Sequence, residues 1–297
     1  MGCFHPLSAQ RLDDGSVSFS APKGAGDSLT LPCGRCIGCR IDRSKMWAVR
    51  CLHEASLYEN NCFVTLTYND DHLPMDGSLD YVDFQLFMKR LRKRFRGSKI
   101  RFYMCGEYGE TYGRPHYHAC LFGLRPSDLY PWRQSGAGFQ LYRSPIMESL
   151  WTSGTVEVGD VTFESAAYVA RYIMKKVTGP LAEAHYSAVD GDTGEIFLRT
   201  PEFTRMSLKP GIGFSWYERF KGEVFPLDRV VVRGVECKPP KYYRFLLDAE
   251  SPSLSARVEY DRYVKALACA SDNTDARLKV KEDVVKARIK NLRRSVE

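Results

Sequence analysis

Apolar and polar residues alternate along some stretches of this chain and recur at helical spacing along others. Cys62-Phe-Val-Thr-Leu-Thr-Tyr68 is β-branched and aromatic and reads as a strand. Asp80 to Phe95 is amphipathic. Phe84, Phe87, Met88, Leu91 and Phe95 fall three or four apart and make one apolar stripe, and the opposite side is basic. Ile100 to Cys105 reads as a strand with Glu107 at its end, Gly106 to Arg114 as a Gly-rich turn, and Pro115 to Phe122 as the return strand of a hairpin. A further helix is expected with Thr162 as N-cap and Gly179-Pro180 as its stop. In it Ala166, Ala170, Ile173 and Val177 face the core, while Tyr168, Tyr172 and Lys176 share a different side. Residues 41–59 have Trp47, Cys51, Ala55 and Tyr58 at helical spacing. The order strand, helix, strand, strand, helix predicts an α+β fold: a central antiparallel sheet with helices packed on one face.

Outside this core the pattern weakens. Residues 1–40 have little periodicity and form a Cys-rich segment. Residues 181–200 read as loop, 201–248 as short strands and turns, and about 252 to 297 as a polar, helical C-terminal extension. The expected division is 1–60 for the Cys-rich segment and its helix, 61–180 for the core, and 181–297 for a C-terminal region with a basic helical tail.

At 297 residues and 44% hydrophobic, the chain has material for one large or two smaller domains. Its 27% charged residues argue against wholesale disorder. The net charge of +7 is mild, so its placement matters more than its sum. Eight of the thirteen residues from Lys89 to Arg101 are basic and none is acidic: Lys89, Arg90, Arg92, Lys93, Arg94, Arg96, Lys99 and Arg101. Such a run suits a phosphate backbone, read without regard to sequence. The first residues lack the apolar stretch of a secretory signal, and no run is long enough to span a membrane. A reducing cytosol is the expectation, where clustered cysteines bind metal more often than they pair.

The candidate chemistry lies in the hairpin and the later helix. His116 and His118 are two apart on a strand, so both imidazoles project from one face. Imidazole pairs suit a divalent transition ion such as Mn²⁺. A third ligand is needed. Glu107 would lie across the hairpin, and Glu110 in the turn is its rival. Tyr168 and Tyr172, four apart on a helix, would offer two phenols on one side. A phenol with its pKa near ~10 is a poor nucleophile at neutral pH, and needs a polarised phosphorus and nearby positive charge. Arg171, Lys175 and Lys176 can supply the charge. Two His on a strand and two Tyr on a helix therefore suggest metal-assisted attack on a phosphodiester. Separately, Cys33, Cys36 and Cys39 could wrap one ion with Cys3 as a fourth sulfur, giving a structural Zn²⁺ site; iron–sulfur ligation uses similar spacing.

These residues resemble the HUH-type (His-hydrophobic-His) endonucleases that start rolling-circle replication, and more closely the replication initiation proteins of gokushovirus-type microviruses. Phe63-Val-Thr-Leu-Thr-Tyr-Asn69, Cys105-Gly-Glu-Tyr-Gly-Glu with Gly113 to Gly123, and Phe163 to Lys176 look like three successive family motifs. Cys33 to Arg40 and Pro210-Gly-Ile-Gly extend the likeness to most of the chain. The resemblance implies a metal-dependent enzyme using Mn²⁺ or Mg²⁺, with His116, His118 and Glu107 as ligands. A tyrosine would nick single-stranded or unwound origin DNA, form a 5′-phosphotyrosine and later religate the strand. Either Lys175 or Lys176 fits the family's lysine. Tyr117, between the histidines, departs from the aliphatic residue usual there. No nucleotide-binding Walker loop is present, so a host helicase and polymerase are expected partners, in the host bacterial cytoplasm. Two other readings stay open: a non-catalytic, zinc-containing nucleic-acid-binding protein, and a metal phosphoesterase that uses activated water.

Overall fold

The computed structural model describes residues 2–20, 22, 24–109, 112–172, 176, 177, 179–189 and 193–290, and of Tyr172 the main chain alone. The chain divides into two compact units. One joins residues 1–45 to 244–292, and the other is built on 46–243.

In the first unit β1 (Leu7–Arg11) lies between β2 (Val17–Ser18) and β3 (Asp27–Leu31) in a small antiparallel sheet. Only Ala9 and Gln10 of β1 are buried, so no long alternation marks these strands in the sequence. α1 (Ile37–Ala55) starts here and runs into the second unit.

The second unit is organised by an antiparallel sheet. Its strands are β4 (Asn61–Tyr68), β5 (Arg101–Tyr108), β6 (Pro115–Phe122), β7 (Tyr130–Gln134), β8 (Gln140–Arg143) and β9 (Gly154–Gly159). Between them come α2 (Tyr81–Arg94) and α3 (Pro145–Leu150), and after them α4 (Phe163–Tyr172) and α5 (Leu181–Tyr186). The hairpin of β10 (Ser187–Val189) and β11 (Ile196–Leu198) follows, and then β12 (Phe203–Met206) adds the seventh strand. The order is β12-β5-β6-β4-β9-β8-β7, so a strand from beyond residue 181 completes one edge. α6 (Phe214–Val224) and the hairpin of β13 (Val230–Val232) and β14 (Val235–Cys237) come next. α7 (Lys241–Glu250) returns the chain to the first unit, which holds α8 (Pro252–Ala268) and α9 (Asp275–Lys290).

The α+β class and the central antiparallel sheet agree with the sequence. The helices, however, cover both faces of the sheet, not one. On one face Val64, Leu66, Met104, Tyr117 and Leu121 pack beneath Phe84, Phe87, Met88 and Leu91 of α2, with Met147 of α3 and Trp151. On the other, Phe63, Tyr103, Cys105, Cys120 and Phe122 pack beneath Ala48 and Cys51 of α1 and Ala166, Val169 and Ala170 of α4. The reason lies in the strands. β5 and β6 are buried at nearly every position, so both of their faces need covering.

Two local differences bear on the site. β5 persists to Tyr108, past the expected turn at Gly106, so Glu107 is a paired strand residue directly opposite His116. In the C-terminal half, α5 and β10–β11 occupy the expected loop, and α6 replaces expected strands. Trp216, Tyr217 and Phe220 favour strands by propensity, but Tyr217 is fully buried on a helix. Gly213 at φ +82° supplies the left-handed N-cap position that starts it. Among the described residues no helix is long and apolar enough to cross a membrane.

Candidate active site

Strand register assembles the site. His116 and His118 are on β6, and their ring centroids are 6.4 Å apart with planes 9° from parallel. The β5 partner of His116 is Glu107, and the β4 partner of His118 is Thr65. Glu107 Oε1 lies 2.7 Å from His118 Nε2, and Thr65 Oγ1 lies 3.0 Å from His118 Nδ1. His118 is completely buried and Glu107 is 2% exposed, so this pairing is shut away from bulk water. His116 is half-buried and borders solvent. Its Nδ1 lies 2.7 Å from the Arg114 carbonyl, which can only accept. Nδ1 therefore carries the hydrogen, and Nε2 of the neutral ring is left with a lone pair, as a metal ligand requires.

Arg114 is itself fixed. Its guanidinium pairs with Asp70 at 2.5 Å and donates to the Tyr68 carbonyl at 3.0 Å. The turn that orients His116 is thereby fastened to the end of β4.

α4 brings Tyr168 to the same face. Thr162 and Ser165 form a reciprocal cap: Ser165 N–H donates to Thr162 Oγ1 at 3.1 Å, and Thr162 N–H to Ser165 Oγ at 2.8 Å. Further along the helix, Tyr168 meets the edge of His118, with centroids 5.1 Å apart at 87°. Phe63 lies parallel to His118 at 5.8 Å and meets Tyr168 nearly perpendicularly at 6.4 Å, and the Arg171 guanidinium lies 5.7 Å from the Tyr168 ring. Tyr168 is 6% exposed and belongs to the core cluster on this face, although the spacing assigns it to a side away from the core. The Tyr172 side chain, Lys175 and Glu110 lie outside the described residues. Lys176 is described, exposed and not helical.

Two imidazoles and a carboxylate, donor types that a divalent ion takes, lie on one face of adjacent strands with Glu107 against His118, and each histidine has an oxygen partner at its Nδ1. Thr65 and the Arg114 carbonyl are the parts of this arrangement to which sequence reasoning gave no role. Thr65 sits within the first motif, but its contact depends on cross-strand register, which linear spacing does not reveal.

The middle residue of the His-Tyr-His run points away. Tyr117 projects to the opposite face, donates to the Asp80 carbonyl at 2.6 Å and accepts from Asp80 N–H at 3.0 Å. Asp80 in turn caps α2 through Val82 N–H. An aromatic residue is placed here to clamp the start of α2, remote from the imidazoles.

The basic run is partly structural. Arg101 is buried and pairs with Glu54 at 2.5 Å, Arg90 donates to the Leu150 carbonyl at 2.6 Å, and Arg92 to that of Ile100 at 3.3 Å. Lys89, Lys93, Arg94, Arg96 and Lys99 remain exposed, and α2 lies across the sheet from the histidines.

In the first unit Cys3, Cys33, Cys36 and Cys39 come together, with their sulfurs all within 4.8 Å of one another. Burial pushes the Cys39 thiol up to about 12. Burial also opposes ionisation of Cys36, but N–H donors from Cys39 and Phe4 outweigh it and bring that thiol down to about 6.

Comparison with known proteins follows the same residues. The family described as replication-associated protein ORF2/G2P matches residues 61–177. Replication-associated protein VP4 of Bdellovibrio phage phiMH2K is 35% identical over 275 residues, covering 89% of this chain and 82% of that protein. The chain belongs to the replication-associated proteins of microviruses. Replication-associated protein ORF2 of Spiroplasma virus 4 is 33% identical over 274 residues, covering 84% of this chain and 81% of its own. Replication-associated protein ORF4 of Chlamydia phage 1 is 34% identical over 230 residues, which are 74% of this chain and 54% of that one. No solved structure gives a significant match. The family segment contains the histidines, Glu107, Thr65 and both tyrosines, whereas the cysteine cluster precedes it.

Proposed function

We propose that this microvirus replication-associated protein starts rolling-circle replication by nicking single-stranded or unwound origin DNA with a tyrosine. The observation that carries the reading is the Tyr168 ring set edge-on against His118, which pairs with Glu107 beside His116. This contact puts the candidate nucleophile next to the candidate ligands on one sheet face, which supports the reading.

His116, His118 and Glu107 would hold Mn²⁺ or Mg²⁺. When bound, that ion draws charge from the phosphoryl oxygens and makes the phosphorus a better electrophile. The Tyr168 or Tyr172 oxygen attacks phosphorus, its proton is lost, and the P–O3′ bond breaks. The departing 3′ oxygen takes up a proton and becomes the primer terminus. The 5′ phosphate stays joined to tyrosine as a diester, so religation by a 3′ hydroxyl needs no outside energy source. Arg171, close to the Tyr168 ring, together with Lys175 and Lys176, supplies positive charge for the phosphates. Duplex unwinding and strand synthesis fall to host proteins in the infected cell's cytoplasm.

The test is a nicking assay on a single-stranded origin oligonucleotide with Mn²⁺ or Mg²⁺, resolved on a denaturing protein gel. Wild type is compared with Tyr168→Phe, Tyr172→Phe and the double variant. A DNA–protein adduct absent from the double variant supports the reading, and the single variants rank the nucleophiles. Cleavage without an adduct points to activated water. DNA binding with neither cleavage nor adduct points to a non-catalytic protein, a reading favoured by one observation, the burial of Tyr168.

A further inference from the structure

The four cysteines converge from two separate stretches of the first unit, residues 3 and 33–39. We propose that Cys3, Cys33, Cys36 and Cys39 bind one structural Zn²⁺ as a tetrahedral four-thiolate site, independent of the catalytic reading above.

The spacing of the sulfurs matches a single ion. A Zn–S bond of about 2.3 Å sets two corners of a tetrahedron about 3.8 Å apart. The Cys36 and Cys3 sulfurs are 3.9 Å apart. An iron–sulfur cluster interposes several iron and sulfide ions and holds its thiolates more widely. All four residues are thiols and not disulfides.

The main chain surrounds the sulfurs with donors. Cys33 N–H points at the Cys3 sulfur at 3.2 Å and Cys36 N–H at the Cys33 sulfur at 3.3 Å. The Cys36 sulfur faces two donors, Phe4 N–H at 3.3 Å and Cys39 N–H at 3.5 Å. Such donors spread the negative charge of ligating thiolates, and uncharged thiols are only weak acceptors for them. Gly34 at φ +73° makes the turn between Cys33 and Cys36.

Glycine also permits the fourth ligand to arrive. A Cβ on Gly38 would lie 2.2 Å from the Gly2 carbonyl and 2.9 Å from the Phe4 ring. Residues 2–4 therefore run directly against the first turn of α1, which delivers Cys3. His5, next along, is fixed to Glu282 at 2.8 Å. Four thiols are drawn together from the two ends of segment 3–39, in a unit with a modest core, and one ion accounts for the convergence.

The experiment measures metal in the full-length protein by elemental mass spectrometry after dialysis against a weak chelator. One zinc per chain is expected, in wild type and equally in a His116→Ala/His118→Ala variant. Cys36→Ser and Cys39→Ser should each lower the zinc content by about tenfold or more, and Cys269→Ser should not. Should the cysteine variants fail to fold, Co²⁺ added to metal-stripped wild type should give the intense visible bands of tetrahedral thiolate ligation, bleached by Zn²⁺. Zinc that persists in the serine variants, stoichiometric iron in place of zinc, or neither zinc nor the cobalt bands would each overturn the proposal.

Discussion

At the scale of single residues, the candidate site depends on which ring nitrogen carries a hydrogen. With Glu107 accepting from Nε2–H of His118, Thr65 donates to Nδ1. An ion in place of that hydrogen would require the Thr65 hydroxyl to turn and accept from Nδ1–H. Thr65→Val removes this partner at nearly constant volume. We expect apparent Mn²⁺ affinity to fall about 10- to 100-fold, with nicking recovered at high Mn²⁺ and Thr65→Ser close to wild type. A Mn²⁺ titration of nicking rate decides it, and an unchanged midpoint would remove Thr65 from the site. His53 makes a second residue-scale prediction. It stacks on Trp216 at 3.5 Å, and burial lowers its pKa to about 3. In the unfolded chain it titrates near about 6.5, so between these values only the unfolded state takes up the proton. Its stabilising contribution is complete above about 6.5 and is lost as pH falls toward about 3, at roughly 1.4 kcal/mol per pH unit. Denaturant unfolding of wild type and His53→Phe at pH 7 and pH 5 should show the wild type losing more on acidification. Equal losses would refute this. The shared face of the histidines and the place of Glu107 across the hairpin were legible because strand alternation and hairpin pairing are nearly local rules. Thr65 and His53 were not, because their partners are 53 and 190 residues away in sequence.

At the scale of elements, alternation along β6 separates two tasks. His116 and His118 face α4, while Tyr117 between them faces α2 and fixes Asp80 at its N-cap. Tyr117→Phe keeps the ring and loses the hydroxyl that bonds both main-chain groups of Asp80. We expect about 1–3 kcal/mol of lost stability with nicking at 25 °C nearly unchanged. Thermal unfolding paired with the nicking assay tests this, and a large loss of nicking in a fully folded variant would contradict the division of faces. The strongly periodic elements were readable: β4, β6 and α2 announce themselves by alternation or a stripe. The small sheet of the first unit was not, since its strands bury few residues. α6 was hidden because aromatic residues that favour strands in isolation are held on a helix by burial and by the left-handed Gly213 before it.

At the scale of the second unit, the sheet lies between the candidate site and the basic helix α2. The histidines and Tyr168 lie on the face covered by α1 and α4, and the basic helix α2 covers the opposite one. A DNA strand at the histidines therefore does not rest on Lys89, Lys93, Arg94 and Arg96. These side chains would instead touch DNA remote from the scissile bond, where each phosphate neutralised adds affinity and salt dependence but no sequence preference. Changing all four to Gln should weaken binding of a long origin DNA and reduce the slope of log affinity against log salt by about 0.7 to 0.9 for each phosphate left without its cation. Nicking of a short oligonucleotide at saturation should stay near wild type, because its phosphates do not extend around the sheet. Arg90, Arg92 and Arg101 are excluded from the set, since they hold carbonyls and a buried carboxylate and their loss would damage the fold. An unchanged salt slope on long DNA would show α2 to be a solvated face. An equal loss on short and long DNA would mean that the strand wraps from one side of the sheet to the other.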